Sequence, residues 1–192
     1  MQFRILPLLG LFCLSVLLFS CKKDEPDPVQ ESPFFDFFKE NLVNIDTVAQ
    51  AADSWEYGFA FTPVKSGKVT QFGIKIPATG DYTVTLWDIS GASPVVLQTK
   101  TVNSSAVHQN AAADIPEVSL KAGSKYGITV RSNAFYRITK PGNAKFIYPR
   151  TIGNIRIESF NEEINNSNLA VFPTATNETR VAPCVNVIFI AD

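Results

Sequence analysis

The chain has 192 residues, with 17 Lys and Arg against 18 Asp and Glu, one His and three Cys. Charged residues make up 18% and apolar ones 45%, with Phe alone counting 15, so a disordered chain, which would lack that apolar content, is excluded. The near-zero net charge argues against a nucleic-acid partner, and one His with three Cys leaves little material for a metal site, so no metal or cofactor is expected.

The elements begin with an address. Arg4 is the only charge before Lys22, and Ile5 to Phe19 is apolar apart from Pro7, Gly10 and Ser15. A short positive start and an apolar run below the roughly 20 residues of a spanning helix predict a secretory signal over residues 1–20. Leu18-Phe19-Ser20-Cys21 resembles the bacterial lipobox, which implies cleavage before Cys21 and acylation of that residue. Several acyl chains anchor stably where one does not, since each buried CH₂ contributes about 0.8 kcal/mol. Lys23-Asp24-Glu25 resembles the surface-export signal of Bacteroidota lipoproteins. That resemblance implies a lipid-anchored protein on the outer membrane, facing the medium.

Residues 21–32, with Pro26, Pro28 and four acids, read as an extended polar tether. An N-terminal segment follows over 33–53. Ser32-Pro33 has the form of a helix start, and Phe34, Phe37, Phe38 and Leu42 share one face at helical spacing, predicting a short helix. Asp46-Thr47-Val48 matches a short acceptor pattern that would make Thr47 an O-glycosylation site.

From residue 54 the period switches to two. Tyr57, Phe59 and Phe61 alternate with small residues, then Phe72, Ile74 and Ile76, then Tyr82, Val84 and Leu86, then Tyr126, Ile128 and Val130. Further strands are predicted at 95–102, 135–139, 146–148, 155–160 and 185–190, the last apolar on both faces and so expected to be central. The Asn-rich stretch 161–168 reads as a surface loop. Eight to ten short strands between Pro, Gly and Asn turns predict an all-β domain over 54–192, an antiparallel β-sandwich of jelly-roll or carbohydrate-binding-module type.

Several phrases recur together: Tyr57-Gly58-Phe59-Ala60-Phe61-Thr62-Pro63, Gly67-Lys68-Val69-Thr70, Val84-Thr85-Leu86-Trp87-Asp88, Asn133-Ala134-Phe135-Tyr136-Arg137 and Tyr148-Pro149-Arg150-Thr151-Ile152-Gly153-Asn154-Ile155. Their order resembles domain-of-unknown-function family 4082, β-sandwiches found in Bacteroidota surface lipoproteins and beside carbohydrate-active modules. The resemblance spans about 54–191 and implies a fold rather than an activity; it brings no catalytic residues.

The chain carries no phosphate loop, no nucleophile elbow and no metal-ligand spacing. His108 lies in a polar loop and reads as plain surface. Asp81, Asp88, Asp114 and Glu117 could supply a glycosidase pair, but each sits beside a turn, where solvated acids are expected. Charge placement is more informative. Residues 33–117 hold five basic and nine acidic side chains, residues 118–157 eight basic and none acidic, and residues 158–192 one basic and five acidic. Aromatics interleave with the basic stretch, so Tyr136, Arg137, Tyr148 and Arg150 are the best candidate cluster for an anionic glycan, unless acids from other strands pair with them. Trp87, by parity on the face of Thr83 and Thr85, is either a sugar platform or covered by the Phe-rich segment 34–38; the cover is favoured. The sequence thus leads to a non-catalytic surface lipoprotein that binds glycan or a surface protein. A structural component assembling through sheet edges is the alternative, and a carboxylate-dependent hydrolase the third.

Overall fold

The computed structural model describes residues 28–39, 43–48 and 50–192. The expected signal peptide, the lipidation site Cys21 and the export residues Lys23, Asp24 and Glu25 lie outside the described residues, as does Leu42.

The fold is all-β and sandwich-like, built of three antiparallel sheets. One has the order β1 (Gln30–Glu31), β13 (Val185–Ala191), β4 (Gly67–Ile74), β7 (Ala111–Leu120). The six-stranded sheet has the order β10 (Arg150–Ile152), β11 (Ile155–Ile164), β3 (Trp55–Pro63), β8 (Tyr126–Ser132), β5 (Gly80–Asp88), β6 (Val95–Ser104). A small third sheet joins β12 (Arg180–Val181), β9 (Phe135–Thr139) and β2 (Asn44–Val48).

The period-two residues form the core. Tyr57, Phe59 and Phe61 of β3, Phe72 and Ile74 of β4, and Val84 and Leu86 of β5 are buried in one cluster with Val185, Val187 and Phe189 of β13. Each such side chain contributes about 1.5–3 kcal/mol through its burial. The opposite face of β3 is not wet either. A Cβ on Gly58 would lie 1.8 Å from the Ile128 carbonyl oxygen, so only glycine lets β8 pass this close.

The N-terminal segment belongs to the core. Gln30 and Glu31 pair with Ile190 and Phe189, so the expected tether yields its last residues to the fold. The Glu31 carboxylate accepts from Asn154 N at 2.7 Å. The predicted helix is one turn, α1 (Pro33–Asp36), with Pro33 in its first turn and no side-chain cap from Ser32. Phe34 stacks on Phe59 at 4.8 Å and Phe37 on Tyr148 at 5.7 Å. The Phe34 amide donates to Asn186 Oδ1 at 3.1 Å. That contact explains the two-sided character of β13: α1 covers its second face, while β1 covers its edge over only two residues.

Two further predictions are corrected. Residues 146–148 are irregular rather than a strand, because Phe146 N is taken by the Glu178 carbonyl at 2.6 Å. The Asn-rich loop begins later than expected, since Asn161 to Ile164 continue β11 against β3.

The strand registers separate two ends. The chain enters beside Ile190, at the end that also carries Gly67 and Leu120. Val185, Ile74 and Ala111 mark the opposite end, about 17 Å away along β13 at roughly 3.4 Å per residue.

Candidate functional site

The predicted cluster does not assemble. Tyr136 and Arg137 are successive residues of β9 and face opposite ways; Tyr136 is 8% exposed, while Arg137 pairs with Asp46 of β2 on the outer side. Tyr148 and Arg150 both turn to Phe37, Tyr148 by stacking and Arg150 by placing its guanidinium 5.8 Å from the ring centre. The rest of the basic stretch is similarly occupied. Lys145 pairs with Glu178 at 2.7 Å, Arg156 with Glu158 at 2.8 Å, and Lys140 lies over the Phe146 ring. Arg131 donates to the Ser167 carbonyl. Six of the eight positive side chains in the run are therefore divided among separate partners.

Trp87 is 4% exposed, which removes it as an open sugar platform. Its cover is not the Phe-rich segment but Phe172, whose ring meets the indole edge-on at 6.2 Å. Gly127 makes the seat, since a Cβ there would lie 2.2 Å from the Phe172 ring. The indole Nε1 donates to Thr129 Oγ1 at 2.9 Å, and that hydroxyl donates to Glu56 at 2.6 Å. Thr47 is exposed on β2 opposite Tyr136, accessible to modification.

The site that does assemble lies at the end of the molecule far from the chain entry. It is a cavity of about 330 Å³, near the lower limit for ligand pockets, about 300–1,000 Å³. Paired strands supply one side: the exposed Ile45 of β2, at the mouth, stands opposite the buried Ile138 of β9, with Tyr136 one pleat along. Phe35 and Phe38 form an aromatic wall as the chain leaves α1. Lys75, one residue past β4, and His108 and Asn110, in the turn before β7, form a polar rim. Lys39 also lines it but pairs with Asp36 at 2.5 Å.

Two features hold the rim in place. The Tyr136 hydroxyl and His108 Nδ1 are joined by a 2.6 Å hydrogen bond, whose donor depends on the imidazole tautomer. His108 holds a left-handed backbone, φ 66°, uncommon for a residue other than Gly, though His is among the side chains that adopt it more readily. The backbone is tied beneath as well: Lys75 N donates to the Cys184 carbonyl at 3.1 Å, and Tyr136 N to Cys184 Sγ at 3.4 Å. Burial pushes the Cys184 thiol up to about 12, which makes it a packing group. Burial, and then the nearby thiol, also push the Tyr136 phenol upward, so at neutral pH it is a neutral hydrogen-bonding group.

The acids considered for hydrolysis are placed elsewhere. Asp81 accepts from Asn103 at 2.7 Å, Asp88 from Ser90 N at 2.8 Å, Asp114 from Gln71 at 2.7 Å, and Glu117 pairs with Lys68 at 2.6 Å. None of these four lines the cavity. A wider concavity of about 660 Å³ lies around Asp46, Arg137, Asn177 and Arg180, but Arg137 pairs with Asp46 and Arg180 with Glu162, so its positive charge is already met.

Of the predicted binding residues only Tyr136 reaches the cavity. His108, read from sequence as plain surface, reaches it too, and Lys75, Phe35, Phe38 and Ile45 carried no signal that would join them. They meet because β2 pairs with β9 and the turn before β7 closes over the end of β4. No protein-family model matches the chain, and no curated protein matches it in sequence.

Proposed function

We propose that this chain is a non-catalytic binding module displayed on the outer membrane, held by acylated Cys21 and recognising a sugar unit of a glycan in the Tyr136–His108 pocket. The observation that carries this reading is the pocket itself: an apolar and aromatic cavity with a few convergent polar groups, one of them fixed by the 2.6 Å bond to Tyr136. Aromatic and aliphatic walls suit the C–H faces of a pyranose, and His108 and Asn110 suit its hydroxyls. Topology supports display. The described chain enters the fold at the opposite end of β13 from the pocket, which suits an attachment on the side away from it. The phrases that resemble domain-of-unknown-function family 4082 fall mainly on β3, β4, β5 and β9.

A glycan array probed with residues 28–192, which retain β1, tests the reading beside Ile45→Trp. Ile45 is 64% exposed at the pocket mouth, so the larger side chain fills the mouth without disturbing the core. The wild-type chain should retain a family of glycans and the variant should lose them. Equal retention by both would move the site elsewhere. A blank array from a self-associating chain would favour assembly through β6, an edge strand with Val95, Val96 and Leu97 exposed.

A further inference from the structure

We infer that the pocket selects an acidic sugar, a hexuronate unit whose carboxylate meets the Lys75 ammonium while its ring lies against Phe35, Phe38 and Ile138. This rests on the glycan-binding reading and specifies its ligand.

Charge is left over at the pocket rim. The chain's basic and acidic side chains nearly balance. Six of the eight cations of the basic stretch are taken up: Arg137, Lys145 and Arg156 by acids, Lys140 and Arg150 by aromatic rings, and Arg131 by the Ser167 carbonyl. Lys75 differs. It is half-buried, has no ion pair among the described residues, and stands at the rim of a cavity with no acidic residue among its described lining. A second ammonium, Lys39, lines the same cavity, balanced by Asp36 outside the lining. Positive charge beside low-dielectric apolar walls focuses its field into the cavity. The complementary ligand therefore carries an anion next to an apolar surface. Neutral sugars lack the anion, and free phosphate or sulfate lacks the apolar surface. A hexuronate has both within one ring, a size suited to about 330 Å³. His108 and Asn110 add donors and acceptors on the rim for ring hydroxyls. A fatty acid shares the carboxylate and the apolar body, so the test must separate the two sources.

Isothermal titration of the full chain, purified in mild detergent, uses trisaccharides of galacturonate, glucuronate and mannuronate, each beside its methyl ester, with laurate as the lipid arm. The ester keeps the shape and removes the charge. At least one uronate should bind about tenfold or more tighter than its ester at low salt, since a charge-assisted hydrogen bond carries more than about 1.4 kcal/mol. The preference should shrink as salt rises. Lys75→Met keeps most of the aliphatic stem; it should bring the preference to about twofold or less, while an unchanged urea-denaturation midpoint shows the fold intact. Equal binding of acid and ester, a preference surviving Lys75→Met, or laurate binding without uronate binding would each overturn the inference. If neutral sugars still bind, the glycan reading stands without it. If no sugar binds here or on the array, both fall.

Discussion

Glu56 is 1% exposed in the layer between the six-stranded sheet and the loop that follows β11. Its carboxyl accepts from Thr129 Oγ1 at 2.6 Å and from Asn165 Nδ2 at 3.2 Å. Burial nevertheless raises its pKa, opposed by those two bonds and by the charge of Arg131. A carboxyl raised in this way holds its proton more tightly in the folded chain than in the unfolded one. Its contribution to stability is therefore greatest in acid, and declines as pH rises through the unfolded value, about 4.3, towards the folded one. Glu56→Gln removes the titration. In urea denaturation the wild type should lose stability relative to this variant between pH 4 and pH 7; a constant difference, or one of opposite sign, would show the carboxylate well compensated. The same layer explains why Trp87 misleads as a sequence signal. Its alternation with Val84 and Leu86 correctly puts it on the other face, but Phe172, 85 residues later, decides that the face is closed.

At the scale of elements, the N-terminal segment acts as a plug. Phe34 and Phe37 enter the core from α1, and β2 carries the chain on to pair with β9. Phe37 is 1% exposed and touches Phe59, Phe146 and Tyr148. Phe37→Ala should cost about 3–5 kcal/mol in urea denaturation, the range for deleting a buried Phe ring. A loss below about 1 kcal/mol would mean that the segment is only draped on the sandwich. Strands such as β3, β5 and β8 were legible because each buries Tyr, Phe, Val or Leu at strict alternation. The joining of β1 to β13 was not, since Gln30 and Glu31 are polar and contribute backbone pairing rather than a hydrophobic period. The end of β11 was hidden for a related reason: Asn161 looks like loop chemistry, yet its amide is buried and donates to the Pro173 carbonyl at 3.1 Å. The pocket was the least legible feature. Its parts come from residues 35 to 183, and no local pattern encodes that β2 will lie beside β9.

Across the whole molecule, the uneven distribution of charge along the chain becomes pairing in space. Asp46 from the acidic first stretch meets Arg137, and Glu178 from the last meets Lys145. What looked like a basic face is thus mostly spent, and Lys75, from outside the basic stretch, is left beside the cavity. The molecule has two distinct ends, with chain entry beside Ile190 and the pocket beyond Val185 and Ile74. Recognition takes place at the second end. Backbone amide shifts of the ¹⁵N-labelled chain, followed while the tightest uronate trisaccharide is added, test it most directly. Saturable changes should be concentrated at Lys75, at 106–110, at 134–138 and beside Pro183, with β6 and the loop over Trp87 unmoved. Changes centred on Phe172 and Trp87, or spread along β6 with the pocket silent, would contradict it.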